Sequence, residues 1–333
     1  MRRREFLLIV GGAVWPSEAG AQPASKGTRR IAIVSVRGPV GTISEESSST
    51  WRAFFTELRR RGYAEGKNLV VDRAAIETGY KNVPSPINEL IQRAPEVIVV
   101  DASHWARGIN AVKGTIPIVA LVSNPLGEDL SSSLAAPGSS ITGIATDTGP
   151  ALLGKQFDLL LEAAPHSRHV ACFGAIWPSA GMRRLWSDAR QRGVSVQEFV
   201  VHAQFRQSSR AYADAFSALL RDGADAVLVL NDPEHLSDPD AIAELGLRHR
   251  VPLISPFRTL TEAGGLMSYG PNWDELERRR AVYVARILDG ATPQELPFEQ
   301  PSRFEFVVNL KTARALGIEI PPTLVARADE VIE

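Results

Sequence analysis

Short apolar runs rich in β-branched residues recur along this chain with longer amphipathic stretches between them, and this alternation restricts the fold more than any single motif does. Residues 31–35 are almost wholly apolar, without a polar face, as expected of a parallel strand covered on both sides. Residues 47–62 then place Trp51, Phe54, Phe55 and Leu58 at i, i+3, i+4 and i+7, the spacing of one buried helix face. Arg59, Arg60 and Arg61 complement the negative pole at the end of that helix, as a solvated terminus, and Gly62 is a suitable stop. Strands at 68–72, 96–101, 116–122 and 141–145, with a helix near 86–93, complete a first unit. The rhythm then restarts with helix 154–163, strand 169–175, helix 183–192, strand 194–200, helix 209–221, strand 226–230, helix 240–248 and strand 251–255. A helix at 274–288, a strand at 304–310 and a helix at 312–316 follow.

Such alternation predicts an α/β fold of two doubly wound parallel-sheet lobes. Crossings near residues 146–150, 269–271 and 301–304 predict a multi-strand hinge between them. Lobe 1 is assigned residues 29–147 plus about 271–300, lobe 2 residues 148–270 plus about 301–320, and residues 321–333 form a C-terminal tail. The 333 residues suffice for two domains of roughly 100–150 each. A formal net charge of −1 provides no positive field to hold a phosphate backbone, which disfavours nucleic acid as a partner. Cys172 is the one cysteine, so no internal disulfide forms, and its apolar surroundings predict a small buried hydrophobe.

The first 21 residues read as an export signal. Arg2, Arg3 and Arg4 supply a positive start, residues 6–14 a short apolar stretch, and Ala19, Gly20 and Ala21 a small-residue cleavage site. Arg3-Arg4-Glu5-Phe6-Leu7 also fits the twin-arginine export pattern, while the general secretory route stays open. The apolar stretch falls well short of the ~20 residues needed to span a bilayer. The expectation is a periplasmic protein cleaved near Ala21, with no membrane insertion after the signal is removed.

In open parallel sheets, ligands bind beyond the carboxyl ends of the strands. There the first lobe carries Ser35, Ser103, Ser123 and Asn124, and the second carries Asn231 and Asp232. Trp177, Phe257 and Tyr269 lie near the same ends and supply surfaces to enclose a ligand. Arg37, in the loop after the first strand, either meets a carboxylate of the ligand or is solvated. Each residue alone has a plainer role as turn, cap or core, so the expectation rests on their convergence. No catalytic, metal or cofactor set is expected. The first strand leads into Arg37-Gly38-Pro39-Val40-Gly41, which is not a dinucleotide loop, and no nucleophile elbow occurs. The six histidines lack helical metal spacing, and one cysteine makes no zinc pattern.

Ordered motifs along the chain resemble the ABC transporter substrate-binding protein family that includes tryptophan- and tyrosine-type members. They are Gly62-Tyr-Ala-Glu-Gly-Lys-Asn-Leu69, Ile116-Pro-Ile-Val119, Asn124-Pro-Leu-Gly127, Leu134-Ala-Ala-Pro-Gly138, Glu262-Ala-Gly-Gly-Leu-Met-Ser-Tyr-Gly270 and Phe306-Val-Val-Asn-Leu-Lys-Thr-Ala313. The resemblance implies a type I periplasmic binding protein fold. It also implies a small-molecule ligand, an ABC permease as membrane partner, and no cofactor. Asn124 stands where the family pattern has Asp, so an ammonium partner is missing there and an organic acid or amide-bearing aromatic ligand is expected beside an amino acid. Two other outputs fit the same scaffold: a periplasmic sensor docking on a receptor, and a hydrolase or isomerase.

Overall fold

The computed structural model describes residues 27–76, 85–127, 130–146, 150–174, 180–199 and 209–333. The export-signal segment, Trp177 and residues 147–149 of the first crossing lie outside them. Two sheets organise the chain. The first has β1 (Arg29–Ser35), β2 (Leu69–Ala75), β3 (Val97–Val100), β4 (Ile118–Val122) and β5 (Ile141–Ala145), in the order β2-β1-β3-β4-β5. All of its pairings are parallel. Helices α1 (Ser49–Arg60), α2 (Ser85–Gln92) and α3 (Ser103–Val112) connect these strands.

The second sheet contains β6 (His169–Phe173), β7 (Ser195–Phe199), β8 (Ala226–Val229), β9 (Leu253–Ser255), β10 (Met267–Pro271), β11 (Phe304–Asn309) and β12 (Glu330–Ile332). Their order is β12-β11-β10-β9-β8-β6-β7, and the β10–β11 pair alone runs antiparallel among these pairings. Its helices are α4 (Pro150–Ala163), α5 (Ala180–Gln191), α6 (Ser209–Arg221), α7 (Pro239–His249) and α8 (Arg258–Glu262). After β10, α9 (Trp273–Leu288) leaves this sheet to pack on α1 and on β3, β4 and β5. Residue 299 then adds a parallel bridge beside β5, its carbonyl accepting from Ala145 N–H at 2.7 Å. β11 returns to the second sheet, followed by α10 (Leu310–Leu316) and α11 (Pro322–Val325).

The stretch 321–333 is therefore no free tail. β12 pairs with β11 from Glu330 to Ile332, and Leu324 of α11 is fully buried. Its short apolar runs complete an edge that would otherwise stay open. The Trp51, Phe54 and Leu58 face of α1 is buried, with Ser48 capping it by accepting from Trp51 N–H at 3.3 Å. The arginines at its end are ion-paired rather than simply solvated: Arg60 and Arg61 reach Glu57 at 3.0 and 2.8 Å, and Arg59 reaches Glu45 at 2.6 Å. Cys172 is fully buried on β6, and burial pushes its thiol up to about 12. Gly270 has a packing reason: a Cβ there would lie 2.0 Å from the Pro256 carbonyl oxygen, so β10 and the chain after β9 approach only because none is present.

Candidate functional site

The carboxyl ends of β1 and β3 meet the returning helix α9 in a buried set of four charges. Asp101, the first residue after β3, accepts from Arg37 Nε at 3.0 Å and from Arg37 Nη2 at 3.2 Å. Arg37 Nη2 also reaches Glu277 of α9 at 2.7 Å. Arg280, one turn further along α9, donates to Asp101 Oδ1 at 2.6 Å and to Glu277 at 2.9 Å through both Nε and Nη2. The Ser35 hydroxyl completes the set with a short hydrogen bond to Asp101. Two guanidinium groups thus balance two carboxylates out of water, where an uncompensated charge would cost several kcal/mol. Burial pushes the Asp101 carboxyl up, but Arg37 and Arg280 outweigh it and hold the group at about 2. Burial likewise works against the charged Arg37, and Asp101 and Glu277 more than offset it. Trp51 lies under both cations, 4.6 Å from the Arg37 guanidinium and 5.2 Å from that of Arg280.

Arg37 is therefore neither solvated nor an unpaired cation. A ligand carboxylate approaching it would meet a set with no net charge. Ser35, expected to face ligand, is spent on Asp101.

The second sheet brings other residues to the same edge. Asn231, just beyond β8, donates from Nδ2 to Thr146 Oγ1 at 2.9 Å. Thr146 follows β5, so this bond joins the carboxyl ends of the two sheets directly. The Asn231 Oδ1 is buried and has no donor among the described residues. Phe257, after β9, is held by a tight turn in which the Ser255 hydroxyl accepts from its N–H at 3.1 Å. Its ring packs on Trp273, the first residue of α9, at 5.4 Å. Trp273 in turn lies 5.9 Å from the Arg37 guanidinium. Asp232 is buried beside Gly174, where a Cβ would lie 3.5 Å from its carboxylate.

Other expected residues are placed differently. Tyr269, half-buried on β10, stacks on Phe304 at 5.9 Å and 17° and meets Phe306 edge-on at 6.4 Å. It belongs to the core on the opposite side of the sheet from Phe257. Asn124 Oδ1 accepts from Gly127 N–H at 2.9 Å, so its side chain closes a turn and holds Leu126 outward at 44% exposure. Ser123 stands half-buried at the end of β4, and Ser103 is the first residue of α3. Missing from the sequence reading were Thr146, Trp273, Glu277 and Arg280. Three of these sit on α9, and only its return to the first sheet brings them here. A cavity of about 260 Å³ between α4 and α5 is lined by helix residues such as Lys155, Asp158 and Asp188, and by none of these strand-end residues. Among the described residues no helix is long and apolar enough to cross a membrane.

Comparison with known proteins agrees with this architecture. The family described as ABC transporter substrate binding protein matches residues 42–332. A tyrosine-binding protein of Clostridioides difficile is 19% identical over 270 residues, covering 80% of this chain and 76% of that protein. An ABC domain from Streptococcus pneumoniae, solved in complex with L-Trp, superposes with a TM-score of 0.76 at 20% identity, over 92% of this chain and 100% of that one. A conserved domain protein of Vibrio cholerae gives 0.75 at 24% identity, over 91% and 99% of the two chains.

Proposed function

The chain belongs to the ABC transporter substrate-binding protein family, and we propose that it serves as the periplasmic solute-binding component of an ABC importer, closing two lobes around a small organic ligand and delivering it to a membrane permease. The Asn231–Thr146 bond carries this reading, because it sets the carboxyl ends of the two sheets face to face. The segments linking the sheets, β5 to α4, β10 to α9 and residue 299 to β11, are few enough to act as a hinge. Ligand shifts such a hinge only through its differential affinity for the closed state. Residues 1–21 act as the cleaved export signal in this reading, which mass spectrometry of the secreted protein tests directly.

The ligand we propose is aromatic and carries no net charge: an amino-acid zwitterion or an amide-bearing aromatic compound. The neutral set around Arg37 supports this over a simple organic acid, since Arg37 has no spare charge to offer. The relatives that bind L-Trp and tyrosine point the same way. Mass analysis of the small molecule that co-purifies with the native protein is the deciding experiment. A thermal-shift panel of L-tryptophan, L-tyrosine, indole-3-acetamide and indole-3-acetate complements it. Strong stabilisation by indole-3-acetate alone would overturn the charge argument.

A further inference from the structure

Three buried polar atoms without a hydrogen-bond partner among the described residues lie within or just beyond β8 and β10, the two strands that flank β9 in the second sheet. They are Asn231 Oδ1 beyond β8, Ser268 Oγ within β10 and Trp273 Nε1 directly after β10. An orphaned donor or acceptor of this kind is costly in a native protein and calls for a reason. Trp273 is 7% exposed, and its indole is packed by Phe257 from the second sheet, tilted at 50°, and by the Arg37 guanidinium from the first, 5.9 Å from its centroid. It is therefore fixed between the two sheets, with its one polar atom unused. A phenylalanine would pack in the same slot without burying a donor.

From this we infer that Trp273 is a specificity-determining residue of the binding site, its indole N–H donating to a carbonyl or amide oxygen of the ligand while Asn231 Oδ1 accepts from a ligand N–H. The inference rests on the solute-binding reading above and narrows it to ligands that both accept and donate. Asn231 Oδ1 is a carbonyl oxygen and can only accept, while one of the two amide hydrogens is engaged by Thr146. Trp273 is committed to donating, because the indole has nothing else to offer. The set formed by Arg37, Asp101, Glu277 and Arg280 positions the ring by fixing the cation at its face.

The test uses full-length protein, indole-3-acetamide and L-tryptophan as probes, and the variant Trp273→Phe, which keeps the ring and removes the donor. Wild-type protein is expected to bind at least one probe, and Trp273→Phe to bind it about tenfold more weakly, the loss of one neutral hydrogen bond. Equal affinity in a folded Trp273→Phe would overturn the inference and leave the solute-binding reading intact. If no probe binds the wild type but the co-purifying compound is an unrelated solute, the ligand class proposed above fails, and this assignment with it. Should Trp273→Phe not fold, the indole proton resonance of Trp273 in ¹⁵N-labelled wild-type protein decides. A downfield shift on saturation with the probe supports the bond, and an unmoved resonance overturns it.

Discussion

Arg280 of α9 and Asp101 beyond β3 stand 179 residues apart in sequence and 2.6 Å apart in space, both fully buried. Their ion pair fastens the returning helix to the first sheet at the edge where the two sheets face each other. Removing one member of such a set leaves a buried charge uncompensated, which costs far more than the pair itself contributes. Arg280→Met is expected to lower the unfolding free energy by about 3–5 kcal/mol. Urea titration of wild type and variant measures this, and a loss below 1 kcal/mol would show that water or rearrangement compensates the site.

The same carboxylate sets a pH dependence. Asp101 is held at about 2 in the folded protein against an ordinary value of 3.8. Because the folded value lies below the unfolded one, the stabilisation is complete above about pH 4 and disappears as pH falls through about 2. It amounts to about 2 kcal/mol. Asp101→Asn is expected to be less stable at neutral pH and to show a flatter stability profile between about pH 2 and 4. Parallel urea curves across that range check it, and identical slopes would refute it.

Asn231 and Tyr269 separate binding from packing. Asn231→Ala removes an acceptor at the sheet edge together with the donor to Thr146, and is expected to weaken ligand binding by about 1–3 kcal/mol and to cost about 1 kcal/mol of stability. Tyr269→Ala empties an aromatic stack with Phe304 and Phe306 on the far side of the sheet. It is expected to cost about 2–4 kcal/mol of stability and to leave affinity nearly unchanged at a temperature where the variant is folded. Calorimetric titration with the co-purified ligand and thermal melts distinguish the two outcomes.

Much of this architecture was legible because parallel strands announce themselves as unbroken apolar runs, as β1, β3 and β4 do. Helix α3 was not, since Gly108 interrupts it and only Trp105, Ala106 and Ile109 of its residues are buried. Tyr269 belongs to strand β10, where alternation turns its side chain to the face opposite Ser268, against Phe304 and Phe306. The quartet around Arg37 left no local signature at all. Its carboxylates come from β3 and α9, and nothing in the spacing of residues 101 and 277 foretells that they meet. Asn124, expected at the ligand, also closes a local turn through Gly127 N–H, which its Asn-Pro-Leu-Gly sequence suits.

That turn makes its own prediction. Asn124 Oδ1 accepts from Gly127 N–H, and a carboxylate oxygen accepts equally well. Asn124→Asp is therefore expected to fold with stability within about 0.5 kcal/mol of wild type, and Asn124→Ala to lose about 1 kcal/mol. Thermal melts compare the three, and a large loss in Asn124→Asp would mean that the amide N–H₂ also matters.

Gly270 is where strand spacing and the hinge meet. An added Cβ would lie 2.0 Å from the Pro256 carbonyl oxygen and 2.7 Å from its carbonyl carbon. Both are backbone atoms, so no side chain can rotate away, and β9 and β10 would have to separate. The displaced neighbours would include Phe257 on one side and Trp273 on the other, whose rings pack at 5.4 Å and 50°. Gly270→Ala is thus expected to cost at least about 3 kcal/mol, well beyond an ordinary surface substitution. In urea the midpoint should fall while the slope stays constant, because the surface exposed on unfolding is unchanged. A variant with wild-type midpoint would mean that the two chains have room to part, and that the Phe257–Trp273 contact is not held in place by their close approach.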